Sequence, residues 1–178
     1  GSLRVALAQM LMAAGNQVGA RALVEEALAA DGTQVDALKM KAAWLIEQDE
    51  TREAFNLLRI ALDNSPQDVD ALILTAQAHA RNGDRTVARE FLALAVEASN
   101  SAPAVSIRYA ELLMSEERYL PAEEVLVDAL RLAPGDLQLL SSLGELYIAM
   151  EDWPRSEQVE QTLRRQETDI ATRIAAGL

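Results

Sequence analysis

Residues 35–68 read VDALKMKAAWLIEQDETREAFNLLRIALDNSPQD, and the fold is decided within them. Val35, Leu38, Ala42 and Leu45 fall at i, i+3, i+7 and i+10, one apolar face of a helix. Ala54, Leu57, Leu58, Ala61 and Leu62 give a second helix its own apolar face. Between them Asp49-Glu50-Thr51 form a short polar turn, and Asn64-Ser65-Pro66 stop the second helix, because proline has no N–H and its ring clashes with the preceding turn. A turn this short makes the two helices antiparallel neighbours.

The same unit recurs along the chain. Alanine returns every 34 residues in three columns: Ala8, Ala42, Ala76 and Ala110; Ala20, Ala54, Ala88 and Ala122; Ala27, Ala61, Ala95 and Ala129. Alanine supplies only 32 of the 178 residues, so composition alone does not make these columns. A fixed period of this length means stacked supersecondary units, and small side chains at fixed places let helix backbones approach closely. The copies run 1–34, 35–68, 69–102, 103–136 and 137–170. Turns at Gly15-Asn16-Gln17, Gly83-Asp84-Arg85, Glu117-Arg118-Tyr119 and Glu151-Asp152-Trp153 match the one at 49–51. Pro121 and Pro154 fall in the first turn of a second helix, where no hydrogen bond is lost. Asp31-Gly32, Ser99-Asn100 with Pro103, and Pro134-Gly135 separate the copies.

This pattern resembles the tetratricopeptide repeat over residues 1–170. Leu140, Leu143-Gly144 and Tyr147 stand on that family's spacing, and Pro66 and Pro134 fall where its terminal proline belongs. The family's aromatic in the second helix is replaced by Val24, Leu58, Leu92 and Leu126. The resemblance implies an all-α, right-handed superhelical solenoid of antiparallel helix pairs. Gly1-Ser2 is read as a cloning remnant, so that Leu3 is an internal residue of a longer, bacterial protein; residues 3–170 are expected to form five repeats. Copy five is polar in its second helix, with Ser156, Glu160, Arg164 and Arg165, as a terminal cap requires. Residues 171–178 continue as a helical extension or cap, where Ile170, Ile174 and Leu178 make a stripe; either one long helix through Ala176 or an extra helix is expected.

Resemblance also implies that the first helices line a concave groove. Helical phase then selects Val5, Gln9 and Met12; Lys39, Ala43 and Ile46; Ile73, Gln77 and Ala80; Ile107, Glu111 and Met114; and Ser141, Glu145 and Ile148, with the cations Arg81 and Arg108 beside them. This lining is apolar for an exposed surface and suits an amphipathic helix or extended peptide from another protein. A carboxylate clamp of the family's kind is incomplete, since only Lys39 and Arg108 match while Ala43, Leu74 and Ala104 do not. Lys39, Arg108 and Arg81 are expected to be solvated or paired within the molecule, with capture of one ligand carboxylate as the alternative.

Several functions are excluded or disfavoured. The net charge of −12 repels phosphate backbones and anionic bilayers, so neither nucleic acid nor a membrane is an expected partner. No run of residues is a transmembrane span, and with no cysteine the compartment, cytoplasm or periplasm, stays open. His79 is the only histidine, in a column otherwise holding Leu11, Leu45, Leu113 and Tyr147, and reads as a packing residue. Trp44 and Trp153 read as helix packing and a turn plug. Arg4 and Lys41 fall at bulky apolar positions and are expected to snorkel. No nucleophile–base pair, phosphate loop or metal cluster appears, so no catalysis, cofactor or metal is expected. The expected role is a protein-interaction scaffold. The alternatives are a spacer or self-associating element acting through its ends, or the accessory arm of a larger enzyme or of an exopolysaccharide-export or secretion protein.

Overall fold

The computed structural model describes residues 2–175, which form ten α-helices and no strand. They fall in two compact units, residues 1–98 and 99–178. The first holds α1 (Ser2–Ala13), α2 (Gln17–Ala30), α3 (Val35–Glu47), α4 (Thr51–Asn64), α5 (Val69–Arg81) and α6 (Arg85–Ala98). The second holds α7 (Pro103–Ser115), α8 (Tyr119–Leu132), α9 (Leu137–Ala149) and α10 (Trp153–Ala175). Sequence neighbours pack as pairs: α1 with α2, α3 with α4 and α5 with α6; then α7 with α8 and α9 with α10. Within the first unit α2 packs on α3 and α4 on α5; within the second α8 packs on α9.

One turn closes the first helix of every pair. The N–H groups of Asn16, Glu50, Asp84, Arg118 and Asp152 reach back to the carbonyls of Leu11, Leu45, His79, Leu113 and Tyr147 at 2.8–2.9 Å. Such a bond needs a left-handed residue just before the donor, and these are Gly15, Asp49, Gly83, Glu117 and Glu151, with φ of 80°, 61°, 88°, 58° and 57°. The same backbone geometry thus recurs at 34-residue intervals with glycine at only two of the five places. Second helices begin on what the turn supplies: Asn16 accepts from the Gly19 N–H at 2.9 Å. Asp68 and Asp136 cap α5 and α9 in the same way through Ala71 and Leu139.

The alanine columns form the seams between helices. Ala20, Ala54, Ala88 and Ala122 are fully buried, as are Ala27, Ala61, Ala95 and Ala129. At Gly144, the fifth place of the remaining column, an added Cβ would stand 3.4 Å from Val159, so α9 and α10 are already in close contact there. The core of the second unit gathers Leu113, Leu126, Leu139, Leu146 and Tyr147.

Helix α10 is one continuous element of 23 residues, the first of the two expected arrangements. Ile170 on it is exposed, while Leu178, Ala176, Gly1 and the side chain of Ile174 lie outside the described residues. Trp153 departs from expectation: it opens α10 with 62% exposure and plugs nothing.

Candidate binding clefts

Helices α3 and α5 present one face each to a cleft of about 370 Å³ in the first unit. Ala43, Ile46 and Glu47 line it from α3, and Leu74, Gln77, Ala80 and Arg81 from α5. Spacings of three and four residues bring each set to one side of its helix. Five of the seven were expected at a groove: Ala43, Ile46, Gln77, Ala80 and Arg81. Ile46 is only 5% exposed, so it forms the floor and contributes to the core beneath. Ile73 is half-buried on α5; on α1, Gln9 is exposed and Met12 half-buried against the first core cluster.

Val5 is not a lining residue. It is 2% exposed and packs with Ala8, Ala20, Val24 and Ala27. In the second unit Ile107 and Met114 are half-buried against the core, whereas Arg108, Glu111, Ser141 and Glu145 are exposed with Ile148. The surface that α7 and α9 offer is therefore more polar than an apolar stripe.

Electrostatics settle the cations in the first unit. Lys39 lies 3.1 Å from Asp36, 2.9 Å from Asp68 and 3.4 Å from Asp70, with its side chain 13% exposed. Burial works against its ammonium, but the hydrogen bonds to Asp68 and Asp36 outweigh that and hold its pKa above the ordinary lysine value. Arg81 meets Asp49 at 2.5 Å. Both are paired within the molecule, and only Arg108 of the three has no ion-pair partner among the described residues. Lys41 and Arg4 do not merely snorkel. Lys41 is 2.9 Å from Glu25, and Arg4 is 3.7 Å from Glu26.

A second cleft, of about 330 Å³, lies among α4, α5 and α6 and is lined by Phe55, Arg59, Leu62, Asp63, Thr75, His79 and Phe91. His79 packs as expected of its column: its ring is 4.4 Å from that of Phe55 and stacks at 5.7 Å on Phe91. Its Nδ1 lies 3.6 Å from the Asp84 carboxylate. Sequence reasoning missed this cleft because Phe55 and Phe91 occupy different columns of the repeat. Trp44 is buried, with the Arg21 guanidinium 5.4 Å over its ring.

Among the described residues no acidic or histidine cluster is arranged to hold a metal ion, and no helix is long and apolar enough to cross a membrane.

Comparison with known proteins places this architecture. A family model for the tetratricopeptide repeat matches residues 44–103. No curated protein matches the sequence. Among solved structures, MamA is similar with a TM-score of 0.75 and 15% identity, over 96% of this chain and 93% of that one. PilF of Pseudomonas aeruginosa gives 0.70 and 22%, over 91% and 74%. YrrB, described as having an unusual peptide-binding site, gives 0.67 and 16%, over 98% and 90%. At these identities the likeness is one of fold. Proteins built on this fold are in general non-catalytic scaffolds that bind other proteins. Residues 44–103 match the tetratricopeptide repeat model, and the helix pairs repeated at 34 residues and these structural neighbours agree that the chain has the fold of tetratricopeptide repeat proteins.

Proposed function

We propose that the protein is an interaction module that takes an apolar peptide, extended or as one face of an amphipathic helix, in the cleft between α3 and α5. The observation that carries this is the make-up of the cleft. Ala43, Ile46, Leu74 and Ala80 supply an apolar lining, Gln77 offers a donor and an acceptor, and Glu47 and Arg81 stand beside them. About 370 Å³ is the scale of a site for one or two large side chains, such as two anchors one helical turn apart. Arg81 is held by Asp49, so the attraction is chiefly apolar, and a small-residue wall at Ala43 and Ala80 leaves room for the ligand's bulk. A peptide-binding site described for YrrB, on the same fold, supports the reading.

A displayed library of random peptides, selected on the folded protein, tests it. Selected peptides should carry Leu, Ile, Met or Phe at anchor spacing, and Ala80→Trp, which fills the cleft from an exposed position, should abolish their binding. Peptides that bind Ala80→Trp as tightly as the parent protein would place recognition elsewhere.

A further inference from the structure

The charges around the α3–α5 cleft do not balance. Every lysine and arginine of these two helices is held by a carboxylate of the chain itself: Lys39 by Asp68 at 2.9 Å, Lys41 by Glu25 at 2.9 Å and Arg81 by Asp49 at 2.5 Å. Glu47 is the exception among the groups that line the cleft. It is exposed, stands at the last position of α3 and has no ion-pair partner among the described residues. Since Arg81 and Asp49 cancel, one carboxylate is left over at this end of the apolar lining.

The backbone adds charge of the same sign. Helix α3 ends at Glu47 and α5 at Arg81, and both residues line the cleft, so two helix C-termini with their partial negative charge meet there. The far end is no more basic. One turn before Ala43, Lys39 faces Asp36, Asp68 and Asp70, three carboxylates to one ammonium. The repeat itself does not call for an acid at position 47. The equivalent residues of the other four copies are Ala13, Arg81, Ser115 and Ala149, so the carboxylate is particular to this cleft.

We propose that the peptide taken by this cleft is basic as well as apolar, with a lysine or arginine beside its apolar anchors seated on Glu47, and that Glu47 sets the preference for it. The inference rests on the α3–α5 cleft being the peptide site and adds the sign of the ligand. An acidic peptide would have to draw Arg81 from Asp49, or Lys39 from its three aspartates, and would leave those carboxylates unpaired. The net charge of −12 steers a cationic segment towards the protein in the same sense.

Peptides selected from the displayed library should carry Lys or Arg beside their anchors more often than Asp or Glu. In a double-mutant cycle followed by titration calorimetry, replacing that Lys or Arg by Gln should weaken binding to the parent by about two- to fivefold at low salt, the scale of an exposed pair, and leave binding to Glu47→Gln unchanged. High salt should remove the difference. Glu90→Gln takes the same charge from an exposed site on α6 that does not line the cleft, and should bind as the parent does. Peptides that lose binding in Ala80→Trp yet are indifferent to Glu47→Gln would leave the cleft standing and overturn this inference, as would a selection enriched in Asp or Glu. Peptides indifferent to Ala80→Trp, or a selection that returns no binder, would overturn the cleft and the inference together.

Discussion

The Lys39 ammonium donates to the Asp68 carboxylate at 2.9 Å, while the same carboxylate accepts the Ala71 backbone N–H at 2.8 Å. One aspartate thus caps α5 and ties it to α3, and the lysine that sequence pattern offers to a ligand is used to hold the wall of the cleft. Asp68→Ala should cost about 1–2 kcal/mol at neutral pH, the scale of a lost cap with part of an ion pair. The pH dependence has a definite sign. Because the folded state raises the Lys39 pKa, the contribution of this group is complete below the ordinary lysine value and is lost as pH climbs through the raised one. Urea melts should therefore show Lys39→Met losing less stability than the parent on the alkaline side; equal slopes would mean that the pair is not made in solution.

The left-handed turn residues supply a second test. Glycine takes this conformation freely, whereas a side-chain-bearing residue pays for its Cβ by about 1–2 kcal/mol, partly offset by the greater freedom that glycine has when unfolded. Glu117→Gly and Glu151→Gly should each stabilise by about 0.5–1 kcal/mol, and Gly83→Ala should destabilise by a similar amount. At Gly83 an added Cβ would meet nothing within 4 Å, so the effect isolates backbone conformation from packing. Thermal melts giving Gly83→Ala the parent's midpoint would contradict the φ of 88°.

Packing at the seams is tested by contrast. Ala88 is fully buried on α6, while Gln77 on α5 is exposed beside the cleft. Ala88→Leu should cost about 1–3 kcal/mol by overpacking, and Gln77→Ala almost nothing. If the two variants melt alike, the assignment of faces on α5 and α6 is wrong.

What the sequence makes legible follows from what constrains each residue. A buried seam admits only small side chains, so Ala20, Ala54, Ala88 and Ala122 announce the repeat and the faces that meet. Ala43, Gln77 and Ala80 come together at the cleft because helical phase alone places them. Phase fails on α1, where apolar residues outnumber the exposed polar ones, Arg4 and Gln9, and leave the inner side poorly marked; Val5 is assigned to the lining for that reason and lies in the core instead. Lys39 is paired within the molecule as expected, but which carboxylates hold it is not legible, because two of its partners stand 29 and 31 residues away, beyond the reach of any local pattern. The rings of Phe55, His79 and Phe91 meet through three different helices at non-equivalent positions, so no period points to them. Glycine marks the turn at 15 and 83, while at Asp49, Glu117 and Glu151 residue type gives no sign of the left-handed conformation and only the 34-residue register places the turn.

In the second unit Tyr147, Glu123 and Arg155 lock three helices together. The buried Tyr147 hydroxyl donates to Glu123 at 2.9 Å, the Arg155 guanidinium bonds to the same carboxylate, and that guanidinium lies 4.3 Å over the tyrosine ring. Arg155 is itself fixed by Asp152 at 2.6 Å. Burial, reinforced by the nearby Glu123 carboxylate, raises the Tyr147 pKa above the ordinary tyrosine value, with Arg155 pulling the other way. The neutral phenol is thus favoured by folding, and stability falls as pH rises from the ordinary tyrosine value towards the raised one. Tyr147→Phe should cost about 0.5–1.5 kcal/mol at neutral pH, the worth of one hydrogen bond whose acceptor keeps another partner. On the alkaline side it should flatten the decline, and the tyrosinate absorbance that appears at the highest pH in the parent should be missing. A phenylalanine variant with the parent's alkaline slope would show that the hydroxyl does not hold Glu123, leaving Arg155 alone to join α8 to α10.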